Sequence, residues 1–156
     1  MKTELDSGHT WFLESLTYRD GLQLIVVEGF RSQDSETLTI GEKTIEGLHR
    51  LEPTPQSRRF AVRFPQFLTC QVVNESFSAF DKSEKGDDTG FLHMLEGSSY
   101  FAYAKANHGW FEDVVGPGKH YRVWTENEVV DVIACEAPTV ELVPSKPLRP
   151  TTSGGG

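Results

Sequence analysis

Apolar and polar residues alternate most cleanly from Arg58 to Phe64, where Phe60, Val62 and Phe64 share one parity and Arg59, Ala61 and Arg63 the other. A period of two is the mark of a strand with one covered and one wet face. Thr10–Tyr18 alternates in part, and Arg19–Asp20–Gly21 then supplies the Asp-Gly signal of a tight turn. Leu22–Glu28 follows as the second arm of a hairpin. Leu22, Leu24 and Val26 stand on one parity and Ile25 and Val27 on the other, so this strand is expected to be covered on both faces. Gly29 ends it. From Arg31 to Ser57 the chain turns polar, punctuated by Gly41, Gly47, Pro53 and Pro55. Short edge strands at 38–40 and 44–48, joined by loops, are expected there, because long structureless stretches are uncommon in compact domains. Pro65 interrupts the ladder as a bulge or corner, and Phe67–Val73 resumes it.

Asn74–Phe80 leads into a charged stretch, 81–88, that reads as an exposed turn, and Phe91–Glu96 is a further strand. Ser98 or Ser99 can cap one short helix over Tyr100–Ala106, with Asn107 or Gly109 to end it. His108–Gly118 reads as a loop. The densest β signal is Lys119–Val143: a hairpin of His120–Thr125 and Val129–Cys135 around a turn at 126–128, a break at Pro138, and a third strand, Thr139–Val143. About nine strand candidates and one short helix predict a mostly β fold, an antiparallel two-sheet sandwich or partly open barrel, with an α+β fold as the alternative. Residues 1–143 form one β-rich domain in this reading, and 144–156 a disordered tail rich in Pro and Gly.

Composition adds a sign. Among 156 residues, 15 Lys and Arg face 23 Asp and Glu, a formal charge of −8. That charge repels phosphates, so neither nucleic acid nor an anionic membrane is an expected partner, whereas a basic protein would be steered in. No segment has the length of a signal-peptide core or a membrane span, and a cytoplasmic protein is expected. Cys70 and Cys135 are expected to be buried and inert.

No glycine-rich phosphate loop, HExxH, CxxC or GxSxG motif is present, and no cofactor is implied. Five histidines are scattered without ligand spacing, so no metal site is expected. His120 is the candidate acid or base, with Glu75 as its orienting carboxylate; the competing reading is a histidine bonded to a neighbouring strand end. Asp131, inside an apolar strand, is expected to bond backbone amides or face water, since an unpaired buried carboxylate costs several kcal/mol. Trp124 alternates with Val123 and reads as core, whereas Trp110 is the candidate exposed anchor for a partner. The acidic runs Glu84–Asp88 and Glu126–Glu128 read as solvated loop tips, and Glu126 and Glu128 are also what would meet a basic partner. An exposed strand such as Thr44–Leu48 can pair between subunits or stand as an ordinary edge.

The run CQVVNESF, then GFLHMLEGSSYFAYAKA, then GKHYRVWTENEVVDVIACEAPTVEL resembles a group of small uncharacterised bacterial proteins. They share a NESY-like strand end, a short aromatic helix after a serine, and an HYxVxTxNxVxDV hairpin. The resemblance covers Cys70–Leu142, with Phe77 in place of the tyrosine, and implies no reaction. Size and charge are similar to those of immunity proteins that neutralise secreted toxins. The function expected is therefore a non-enzymatic protein-binding module, immunity-like, directed at a basic toxin. The alternative is a small enzyme or ligand-binding β-domain with a pocket near His120 and Glu75.

Overall fold

A computed structural model describes residues 1–79, 81–86 and 90–144. Asp20 and Gly21 both take positive φ, 54° and 112°. Such a pair closes a tight hairpin, and it joins β1 (Trp11–Tyr18) antiparallel to β2 (Leu22–Ile40), with Tyr18 opposite Leu22. Only glycine fits the second position, where a Cβ would stand 2.6 Å from the Phe64 carbonyl oxygen. The other edge of β2 receives the cleanly alternating segment as β4 (Arg59–Phe64), Leu22 opposite Phe64. Next to β4 lies β10 (Thr139–Val143), Val140 opposite Val62. The third strand of the C-terminal run thus leaves its hairpin and joins the other sheet.

Pro65–Gln66 is a corner. Beyond it β5 (Phe67–Asn74) enters a second sheet of order β5-β9-β8-β7-β6, where β6 is Lys85–Gly86, β7 Leu92–Glu96, β8 Lys119–Trp124 and β9 Glu128–Ala134. The sheets face each other across one core. Leu24, Val26, Phe60, Val62 and Phe64 come from the first sheet, and Tyr121, Val123, Val130 and Val132 from the second. Phe64 and Tyr121 meet across the gap with ring centroids 5.7 Å apart. Trp11 closes one end, its indole N–H donating to the Leu5 carbonyl at 3.0 Å and its edge against Phe60. The result is a mostly β, two-sheet antiparallel sandwich, not a closed barrel.

The outer face of the second sheet is covered by helix α1 (Ser99–His108) and a single turn, α2 (Phe111–Val115), set in what the sequence offered as loop. Ala104 and Phe111 bury against Ile133 of β9. Ser98, one of the two candidate caps, fills that role, its Oγ accepting the Phe101 N–H at 3.0 Å.

The largest departure from expectation lies between Arg31 and Ser57. β2 continues to Ile40 and pairs with an eleven-residue β3 (Lys43–Pro53), making one long ribbon rather than short strands joined by loops. Among the described residues, β3 is the only strand beside β2 beyond Gly29, because β1 and β4 stop short of it. The cysteines are free but half-buried rather than buried, and Trp124 is half-buried, outside the core. Of the tail, only Pro144 falls within the described residues.

Candidate functional site

Strand alternation assembles a buried polar cluster. Tyr121 and Val123 point into the core, so His120 and Arg122 point the other way, His120 against Tyr100 of α1. Val130, Val132 and Ala134 point inward from β9, so Asp131 points outward, and register places it between Arg122 of β8 and Gln71 of β5. Opposed residues in a sheet share a face. Arg122 Nε accordingly donates to Asp131 Oδ1 at 2.6 Å, and Gln71 Nε2 to Oδ2 at 2.9 Å. His120 Nε2 lies 2.9 Å from Oδ1, and the two forward nitrogens of Arg122 hold Glu84 at 2.5 and 2.9 Å.

The far side of His120 meets Ser98, whose Oγ is 2.6 Å from Nδ1. Because that oxygen already accepts the Phe101 N–H, its own proton is free for Nδ1, which leaves the Nε2 proton for Asp131. Ser98, His120 and Asp131 are 2%, 1% and 2% exposed. Serine, histidine and aspartate are the residue types of a nucleophilic triad. Here the serine is spent as a helix cap and sealed from solvent, so no substrate carbonyl reaches it. Among the described residues no buried side-chain nitrogen or oxygen lacks a partner. The cluster can orient and tie elements together: β5, β8, β9, the α1 cap and the segment bearing Glu84 all meet in it.

Burial alone would raise the Asp131 carboxyl, but hydrogen bonds from His120, Arg122 and Gln71 outweigh it and hold the group at about 2. A carboxyl lowered on folding contributes stability that is complete above its unfolded value, near 3.9, and is lost as pH falls through its folded value. The expected result is a loss of about 2–3 kcal/mol between pH ~4 and ~2, read from urea midpoints. An Asp131→Asn variant, with no carboxyl at this position, should show a correspondingly shallower acid slope; equal slopes would remove Asp131 from the account. Asp81 is also held well below the usual range, by hydrogen bonds from Ser83 and Ser99.

Two clefts flank this region. One, of about 270 Å³, borders His120 with Met94, Glu96, Phe101 and Lys119. The other, of about 310 Å³, is mainly apolar and lies between β5 and the α1–α2 junction, lined by Phe67, Leu68, Trp110, Phe111, Val114 and Val115. Trp110 is 70% exposed and Val114 68%. Among the described residues no three His, Cys, Asp or Glu gather as metal ligands, and no helix is long and apolar enough to cross a membrane.

The chain matches no family model, no curated protein and no solved structure.

The residues singled out from sequence fall in two places. Glu75 sits in a one-turn segment after β5, and its N–H donates to the Asn127 carbonyl at 3.1 Å. That is the Glu128 end of β9, whereas His120 is opposite Ile133, five residues or roughly 17 Å along the strand. Glu75 therefore does not orient His120. Asp131 does, and it is buried and bonded to the side chains of His120, Arg122 and Gln71 rather than to backbone amides or open to water. Glu84, expected in a solvated tip, is engaged by Arg122 with its side chain 11% exposed; Asp87 and Asp88 lie outside the described residues. A two-residue turn at Glu126–Asn127 would have paired Arg122 with Asp131 by counting alone; the three-residue turn at 126–128 hid that register.

Glu126 lies in that turn and is exposed, and Glu128 opens β9, accepting from Asn127 Nδ2 at 3.1 Å. Asn127 bonds the Leu13 N–H and carbonyl at 2.8 and 3.1 Å, pinning the turn to β1. Trp110, by contrast, lies beside Phe111 at the Ile133 end of β9. The aromatic anchor and the turn carboxylates therefore do not form one patch.

Proposed function

We propose that this protein is a non-enzymatic protein-binding module that docks a basic partner, of the kind an immunity protein makes with a toxin, and that it belongs with the small bacterial proteins its second half resembles. The observation that supports this is Trp110, exposed beside an apolar cleft of about 310 Å³. Large aromatic residues at the mouth of an apolar pocket are the usual anchors of protein interfaces. Acidic Glu112 and Asp113 follow Trp110 on α2, Glu112 paired with Lys105 at 2.9 Å, and the whole chain carries −8. A basic partner presenting an apolar side chain suits such a rim.

The competing enzyme reading relied on His120 acting with Glu75. Both ring nitrogens of His120 are already bonded, and Glu75 is at the other end of β9. Two free cysteines agree with action in a reducing, cytoplasmic compartment. The test is capture of partners from lysate at low and moderate salt, with wild type and Trp110→Ala side by side. One basic protein held by wild type, released by salt and missed by the variant, is the expected result; equal capture by both would overturn Trp110 as the anchor.

A further inference from the structure

The outer face of the first sheet carries a polar row. Leu22, Leu24, Val62 and Phe64 point into the core, so Gln23 and Arg63 point away from it. Register sets Thr17 opposite Gln23 and Gln23 opposite Arg63, which aligns the three side chains across β1, β2 and β4. The β1–β2 turn adds Arg19 and Asp20 at one end of the row. Together with Leu22 these residues line a cleft of about 630 Å³, about twice the volume of the cleft beside Trp110. That is a size at which small molecules are bound.

The row is organised before any ligand arrives. Arg63 Nε donates to Gln23 Oε1 at 2.7 Å, and one of its terminal nitrogens to Glu141 of β10 at 2.8 Å. Those two bonds fix the guanidinium plane and use two of its five N–H groups. With the Gln23 oxygen taken, the two N–H groups of its amide are what remain to bond. Arg19 is exposed, and among the described residues neither its guanidinium nor the Asp20 carboxylate has a partner. Asp20 is accounted for by the turn, since its φ of 54° is one that Asp and Asn tolerate best among residues with a side chain. The donors left over, on Arg19, Arg63, Gln23 and the Thr17 hydroxyl, outnumber that one free carboxylate.

We propose that this cleft binds a small metabolite through an oxyanion, a phosphate or carboxylate held by Arg19 and Arg63 with Gln23 also donating to it. The fork of a guanidinium matches both groups, and a plane fixed in advance loses less freedom on binding. The site lies across the core from Trp110, whose cleft is outside the second sheet, so it is separate from the protein-docking surface. The −8 charge of the chain works against an anion, but at physiological salt charges beyond about 8 Å are screened. The near charges, Arg19 and Arg63 against Asp20 and Glu141, balance. Affinity therefore comes from directed hydrogen bonds and is modest.

Amide-detected NMR on nitrogen-labelled protein tests this, because the Gln23 side-chain amide reports directly from the cleft. Titrations with sodium phosphate and, separately, sodium acetate at constant ionic strength should move the Gln23 Nε2 protons and the backbone amides of Arg19, Asp20 and Gly21 along one saturable curve in the low millimolar range. Sodium chloride alone should leave them in place. Saturation by phosphate alone assigns a phosphorylated ligand, by acetate alone a carboxylic acid, and by both a site that reads the oxyanion without regard to its source. Arg19→Gln should weaken binding about tenfold, the worth of one charge-assisted hydrogen bond. Its thermal midpoint should not change, since Arg19 has no partner to lose. Asp20→Asn keeps the left-handed turn and should tighten binding about threefold by removing the free carboxylate. No saturation by either anion, or an Arg19→Gln variant that binds as wild type does, would overturn the proposal.

Discussion

Replacing Arg122 by Met is expected to cost about 3–5 kcal/mol, because it leaves buried carboxylates without their cation. Asp131 and Glu84 are 3% and 11% exposed at the side chain, and Arg122 bonds both. Methionine matches the aliphatic stem of arginine but satisfies neither carboxylate. A domain of this size is typically stable by about 5–15 kcal/mol, so the loss is a large share and should appear as a shifted urea midpoint with little change in slope. The control is the double variant Arg122→Met with Asp131→Leu. Removing the pair together should cost less than the sum of the single changes, since an apolar pair of similar volume replaces a desolvated ionic one. His120 loses its Nε2 partner in that variant, so recovery is expected to be partial. Arg122→Met within about 0.5 kcal/mol of wild type, the range of an ordinary surface substitution, would show that the cluster is wetter than its geometry.

Such a cluster also explains what sequence could and could not reveal. The Asp20–Gly21 turn, the alternation of Arg58–Phe64 and the β8–β9 hairpin are local patterns, and each formed as its residues require. What failed was non-local. β10 has the same alternation whether it follows its hairpin or crosses to β4, and only the finished sheet decides between them. The long β2–β3 ribbon is hard to read because Arg31–Ile40 is polar on average, with Leu38 and Ile40 its only apolar residues, and because a ribbon with two wet edges needs apolar residues on one side at most. In the sequence Asp131 is a lone carboxylate in an apolar strand; its cost falls once Arg122 stands opposite, a fact of register rather than composition. The carboxylate that holds His120 is eleven residues ahead across the hairpin, not in the segment ending β5. The α2 turn is too short to show a period, and Gly109, read as the end of one helix, also precedes it.

Trp110→Ala is expected to weaken partner binding by about 2–4 kcal/mol, roughly 30- to 1,000-fold in Kd, the range for a central aromatic anchor. Stability should move by no more than about 0.5 kcal/mol, as for an ordinary surface substitution, because the side chain is 70% exposed and supports little of the core. That separation of effects is what distinguishes Trp110 from Trp11. Trp11 is 1% exposed, bonds Leu5 and packs on Phe60, so its truncation should cost about 3–5 kcal/mol and would confuse unfolding with lost binding. Calorimetric titration of the captured partner, paired with thermal melts of each variant, makes the measurement. Val114→Asp probes the same cleft from its other wall and should weaken binding while leaving the fold intact, since Val114 is also mostly exposed. Charge reversal at Glu126 and Glu128 reads the opposite end of the second sheet. Normal binding by Trp110→Ala with loss on reversal at Glu126 and Glu128 would move the interface to the β8–β9 turn, where Asn127 pins the backbone to β1 and a rigid acidic tip, rather than an aromatic anchor, would meet the partner.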